Sequence, residues 1–202
     1  MRVLIGCEES GKGREAFKKR GHDAWSCDLL PSRISGNHLQ CDIMDVLDRN
    51  WDLIILHPDC TKLAVSGNST YGLNQDGTPK HRHHERLDAV AWTVILWGKA
   101  TNLCSRVCLE NPVGVLNSYN KELPKPKYVH PWQYGHLEQK KTGLWLYGLS
   151  ELRPTNDVYV QMMELPKNQR ERNHYMPPGV NRKRDRSESY QGIMDAMAEQ
   201  WG

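Results

Sequence analysis

A cysteine and a glutamate each fall where an apolar run gives way to proline: His57-Pro58-Asp59-Cys60 and Glu110-Asn111-Pro112. The run before the first, Asp52 to Leu56, is almost wholly apolar, as a strand buried on both faces of a parallel sheet should be. Pro58 removes a ladder donor and stops it. The second run, Arg106 to Glu110, is expected to break at Asn111-Pro112. Open α/β sheets bind ligands at the carboxyl edge of their strands. Cys60 is therefore a candidate nucleophile, and the alternative is a small buried thiol capping the sheet. Glu110 falls at the same edge, and an acid in a buried strand is costly unless used or paired.

The elements that must position this pair can be read in order. Arg2 to Cys7 is a first strand, followed by the turn Gly6-Cys-Glu-Glu-Ser-Gly-Lys-Gly13 and a helix from about Arg14 to Arg20. A second strand, Asp23 to Cys27, ends at Asp28. Strand, glycine turn, helix, strand, acid is the order of a nucleotide-binding half of a doubly wound sheet. There, turn N–H groups face the ligand and the acid accepts from ribose hydroxyls, although this turn is not GxGxxG. Leu39 to Asp45 reads as a third strand end, where Asp42 either meets an adenine amino group or caps a helix from Ile43 to Leu47. Gly67 to Pro79 is polar and turn-rich, expected as a long mobile loop that is either a lid or plain surface. A helix from about His83 to Cys104 should bury Leu87, Val90, Ala91, Val94, Ile95 and Trp97, with its Trp residues in the core. Gly114 to Lys127 is irregular, and further strands are expected near Lys127 to Gly135 and Thr142 to Gly148. Ser187 to Trp201 closes the chain as an amphipathic helix through Ile193, Met194, Met197 and Ala198. The fold class is thus α/β, a doubly wound, mostly parallel sheet. A core over 1–150 precedes a proline-punctuated segment, 151–181, which is the candidate recognition insertion. A terminal helix over 182–202 returns to the core.

Composition narrows the function classes. The 202 residues are 38% hydrophobic and 25% charged, with a net charge of +3, too small to prove a nucleic-acid partner. Basic residues nevertheless crowd between Gln169 and Arg186 (Arg170, Arg172, Arg182, Lys183, Arg184, Arg186), either a solvated face or a phosphate contact. No apolar run is long enough to span a bilayer, and Met1-Arg-Val-Leu-Ile-Gly reads directly as a strand rather than a leader. Six scattered cysteines without a CxxC pair indicate reduced thiols and a cytoplasmic setting. His81, His83 and His84 lack the cysteine or carboxylate help that metal-ligand spacing requires, so no metal is expected.

The ordered set matters more than any one motif: a nucleoside-binding first half, the Pro-x-Cys turn, Glu110-Asn111-Pro112, and then Tyr134-Gly-His-Leu-Glu-Gln-Lys140-Lys141-Thr-Gly-Leu-Trp-Leu. Together these resemble the S-adenosylmethionine-dependent DNA cytosine-5 methyltransferases, in particular the compact forms carried by phages and prophages. The resemblance spans most of the chain, leaving 151–181 unassigned. It implies a methyltransferase fold, S-adenosyl-L-methionine as cofactor, duplex DNA with a flipped cytosine as substrate, and, for a phage protein, the host cytoplasm. It implies catalytic roles for Cys60, Glu110, Asn111 and Lys140. Cofactor contacts would fall to Gly6, Ser10 and Gly11 in the first turn, to Asp28 and Leu29, to Asp42 and Ile43, and to His57. Lys141, Arg182, Arg184 and Arg186 would meet nucleic acid. In such chemistry a thiolate adds to C6, a carboxyl at N3 shares a proton as charge develops, and C5 then attacks the sulfonium methyl. The family places Pro directly before the cysteine and commonly Gln after it; here Asp59 and Thr61 stand there. A carboxylate beside the thiol disfavours the thiolate unless it points away. Three other functions fit the same residues: an amino-group methyltransferase for N4 or N6, a degenerate non-catalytic nucleic-acid or partner-binding module, and an enzyme acting on free nucleotide.

Overall fold

The computed structural model describes residues 1–180 and 182–202; Asn181, the expected end of the recognition segment, and the side chain of Lys183 lie outside the described residues. The strands form one sheet in the order β3-β2-β1-β4-β5-β7-β6. They are β1 (Arg2–Gly6), β2 (Asp23–Asp28), β3 (His38–Gln40), β4 (Leu53–Leu56), β5 (Val107–Pro112), β6 (Lys127–Val129) and β7 (Thr142–Tyr147). The pairings from β3 through β5 are parallel, whereas β7 runs antiparallel to both β5 and β6. The helices are α1 (Lys12–Lys19), α2 (Asn68–Tyr71), α3 (His83–Leu103), α4 (Leu116–Tyr119), α5 (Tyr159–Glu164), α6 (Lys167–Arg170), α7 (Arg172–Tyr175), α8 (Arg182–Ser187) and α9 (Gln191–Trp201).

Alternation along the strands splits their apolar residues between two cores. Val3, Ile5, Leu53, Ile55 and Cys108 point to the face covered by α1 and α9, where Phe17, Ile193, Met194, Met197 and Trp201 close it. Leu4, Ile54, Leu56, Val107 and Leu109 point to the opposite face, which α3 covers with Val90, Leu96, Trp97 and Ala100. Burial on both sides is what the continuous apolar strands require. Each fully buried Leu or Ile contributes about 1.5–3 kcal/mol relative to exposure. The sequence of directions reverses between β1 and β4. That reversal is a topological switch point, and the crevice outside its carboxyl ends is where such sheets hold ligands.

Several expectations are corrected. The helix α3 buries His83, Arg86, Val90, Thr93, Leu96, Trp97 and Ala100, while Leu87, Ala91 and Ile95 face outward. Trp92 is 37% exposed rather than in the core. The buried face is rotated because Arg86 and His83 find hydrogen-bond partners there: Arg86 donates to the Lys62 and Ala64 carbonyls, and His83 Nδ1 pairs with the Tyr71 carbonyl. The segment from Gly67 to Pro79 is not one long loop, since it contains α2, a bridge between Leu73 and Pro79, and a turn held by Asn74 and Thr78. Strand β5 is not broken at Asn111-Pro112; it pairs with β7 as far as Pro112 opposite Thr142. At the end of a strand a missing N–H forfeits at most one ladder bond.

The 151–181 segment begins on the core: Leu152 is buried, and the Thr155 and Asn156 N–H groups donate to the Gln133 carbonyl. The short helices α5, α6 and α7 follow. No helix among the described residues is long and apolar enough to cross a membrane.

Candidate active site

A cavity of about 650 Å³ opens at the switch point, within the range typical of small-molecule sites. One end is built by the ends of β1, β2 and β3, through Glu8, Ser10, Asp28, Leu29, Asp42 and Ile43. The other is built by the ends of β4 and β5, through His57, Cys60, Glu110 and Asn111, together with Lys140. Lys140 reaches this edge because β7 is antiparallel. Its first residue, Thr142, lies opposite Pro112, so the residues just before it meet the carboxyl ends of the parallel strands.

The first turn is shaped by two backbone positions. Cys7 has φ 58°, unusual for a residue other than glycine, and Gly11 caps α1 at φ 75°. Gly6, expected at the cofactor, serves packing: a Cβ there would stand 2.6 Å from Ile43 Cδ1 and 2.9 Å from Leu56 Cδ2. Neither Gly6 nor Gly11 lines the cavity. Glu8, which the sequence reading passed over, does line it. It is buried, and one carboxylate oxygen accepts from Ser10 Oγ and the Lys12 N–H. The other, Oε2, is buried without a partner among the described residues. Such an oxygen is a ready acceptor for a cationic or N–H-bearing group. The signal that could have found Glu8 is its place one residue beyond the apolar run of β1, at the edge where Asp28 and His57 were already singled out.

Asp28 accepts from the Leu30 N–H at 2.9 Å, and its pKa is raised chiefly by burial. Asp42 caps the short 3-10 turn Ile43–Asp45 by accepting from the Met44 N–H, so the capping reading holds while the residue also lines the cavity. The loop after β2 is tied down by Arg14, fully buried in α1, which donates to Ser26 Oγ, Ser32 Oγ and the Ile34 and Ser35 carbonyls. In sequence, Arg14 is legible only as the start of a helix, because its partners lie 12 to 21 positions further on.

At the other end, Cys60 is half-buried. Burial pushes its thiol up, the Glu110 charge adds to this, Lys140 pulls it down, and Asp59 adds a smaller upward push. Asp59 Oδ1 accepts from the Thr61 N–H at 2.9 Å and Thr61 Oγ1 at 2.5 Å, which turns that oxygen back along the loop. Burial would raise the pKa of Glu110. The hydrogen bond from His57 and the charges of His57 and Lys140 outweigh it, so the carboxyl lies below its ordinary range. His57 Nδ1 stands 3.0 Å from Glu110 Oε2. Asn111 holds the loop that bears Cys60, donating from Nδ2 to the Pro58 carbonyl at 2.9 Å. Lys140 Nζ donates to the Arg186 carbonyl at 3.2 Å and stands over the Tyr190 ring. Trp92 lines the cavity as well.

The basic residues are spread more widely. Arg184 lines the cavity and pairs with Asp185. Lys141 instead stands 4.1 Å over the Tyr128 ring, and Arg182 donates to the Met176 carbonyl. Arg186 meets the site through its carbonyl, the acceptor of the Lys140 bond. No group of three or more His, Cys, Asp or Glu that could hold a metal ion occurs among the described residues. No protein-family model matches the chain, and no curated protein matches it.

Proposed function

We propose that this protein transfers a methyl group from S-adenosylmethionine to C5 of cytosine in DNA, with Cys60 as the covalent nucleophile. The observation that carries the reading is one cavity lined at one end by Glu8, Asp28 and Asp42 and at the other by Cys60, Glu110 and Lys140. The first end suits a nucleoside bearing an amino acid. The unpartnered Oε2 of Glu8 fits an ammonium, and the acids closing β2 and β3 fit ribose hydroxyls and a purine amino group. When bound, that cofactor supplies an electrophilic methyl on a sulfonium.

Each residue at the other end has a role in the proposed chemistry. Cytosine C5 is a weak nucleophile until Cys60 Sγ bonds to C6 and the displaced π electrons reach the C4–C5 bond. Glu110 shares a proton with N3 as that charge develops. Lys140 favours the thiolate of Cys60. Asn111 holds the Pro58 carbonyl and with it the position of the loop that bears Cys60. After C5 takes the methyl, its proton leaves to water, the C6–S bond breaks and the thiolate departs. The base enters the cavity out of the duplex stack, since C6 is covered inside the helix.

The test is to supply DNA with a labelled methyl donor, digest it to nucleosides and identify the labelled product. 5-Methyl-2′-deoxycytidine supports the reading. N4-methylcytosine or N6-methyladenine would assign the cavity to exocyclic transfer, and cofactor binding without any product would leave a binding module.

A further inference from the structure

The cytosine chemistry needs an acid at N3, yet the Glu110 carboxyl is held below its ordinary range and is ionised near neutral pH. That carboxylate is hydrogen-bonded to His57, whose Nδ1 stands 3.0 Å from Oε2 across the gap between β4 and β5. A carboxylate only accepts, so Nδ1 bears the proton. The second ring nitrogen, Nε2, is buried and without a partner among the described residues. The backbone that carries the ring is tied to the neighbouring strand β1: the His57 main-chain N–H donates to the Gly6 carbonyl at 2.9 Å. It lines the cavity beside Glu110.

We infer that His57 and Glu110 act as a single acid, with His57 as the proton reservoir for the carboxyl that meets N3. The inference rests on the proposed cytosine chemistry. As Cys60 Sγ bonds to C6 and the C5–C6 π pair moves toward C4, N3 takes a proton from Glu110. Glu110 takes one from Nδ1 of the imidazolium, leaving a neutral imidazole. When C5 has lost its proton to water and the C6–S bond breaks, N3 returns its proton to Glu110, and the imidazolium re-forms. No proton is gained or lost by the pair over the cycle. The titratable and charged groups that share the cavity with it are Glu110 on β5, Lys140 before β7, Cys60 and Asp59 on its own loop, Cys7, Glu8 and Glu9 beyond β1, Cys27 and Asp28 on β2, Arg33, Cys41, Asp42, Arg184 and Glu188, and Cys108 on β5 interacts with Glu110. Glu110 is hydrogen-bonded to the ring.

His57→Asn separates positioning from proton supply, because an asparagine amide can donate to Glu110 from the place of Nδ1 but cannot titrate. The measurement is single-turnover methyl transfer to cytosine DNA by wild type and variant, from pH 5 to 9, with thermal melts and cofactor binding as folding controls. The ratio of wild-type to variant rate cancels the Cys60 ionisation. Below the range of an ordinary carboxyl the two acids are equally protonated and the ratio is near one. It should climb with pH as the carboxyl of the variant empties first. The variant should be slower than wild type by about ten- to a hundredfold at pH 8. A pH-independent ratio, or a variant as fast as wild type, would make His57 only a structural donor and overturn the inference. If His57→Asn does not fold, His57→Gln takes its place under the same criterion. A wild type that methylates no cytosine at all would overturn the proposed function and this inference together.

Discussion

Cys60 is a thiol whose ionisation is contested by its neighbours, and that contest can be measured without any substrate. Burial holds the thiol protonated, the Glu110 charge adds to this, and Lys140 favours the thiolate. Removing the first charge by Glu110→Gln should lower the Cys60 pKa, increase the thiolate at a given pH, and speed alkylation by iodoacetamide about three- to tenfold. Lys140→Met should slow it by a similar factor. The rate is followed at pH 7.5 by mass spectrometry of the Cys60 peptide. Movement of both variants in the same direction would contradict the electrostatic account. Methyl transfer should fall in both variants, so alkylation and catalysis part company in Glu110→Gln. Sequence reading found Cys60 and Glu110 because each follows an apolar strand and precedes or follows proline. It could not find the bond between His57 and Glu110, which lie 53 positions apart and meet only once β4 and β5 pair.

At the scale of elements, the parallel strands were legible because burial on both faces leaves a continuous apolar run in the sequence. The face of α3 was not. Periodicity rewards apolar residues, whereas this helix buries Arg86 to hold the loop after Cys60, donating to the Lys62 and Ala64 carbonyls and to Asn68 Oδ1. Arg86→Met would leave these acceptors unpaired. It should cost about 3 kcal/mol in stability, seen as a fall in Tm of about 6–12 °C. Methyl transfer should fall beyond what the lower stability explains. An unchanged Tm would show that the loop does not depend on Arg86. The antiparallel direction of β7 was also hidden, since the run Thr142 to Tyr147 reads as a strand whichever way it points. Yet it is that direction which brings Lys140 to the edge. Gly6 makes the same point about packing. Gly6→Ala should destabilise the fold by about 1–3 kcal/mol through contact with Ile43 and Leu56. Cofactor affinity of the folded variant should change little, as titration calorimetry would test.

At the scale of the whole molecule, the sheet gathers chemistry from distant parts of the chain into one cavity by ending β1 through β5 on the same edge and reversing β7. A ligand that binds only the folded state raises its stability, by about 2.7 kcal/mol at a hundredfold excess over Kd. S-adenosylmethionine should therefore raise the melting temperature of the wild type. Glu8→Gln, which replaces the unpartnered Oε2 by an amide, should show little or no rise. The measurement that tests the central claim most directly is covalent trapping. Protein and cofactor are incubated with duplex DNA containing 5-fluorocytosine, beside a Cys60→Ser control. Fluorine cannot leave C5 as a cation, so the elimination that would free Cys60 is blocked. The account predicts a protein–DNA adduct, resistant to denaturation and mapped to Cys60, in the wild type and none in the control. Cofactor binding with no adduct in the wild type, or an adduct that survives in Cys60→Ser, would contradict it.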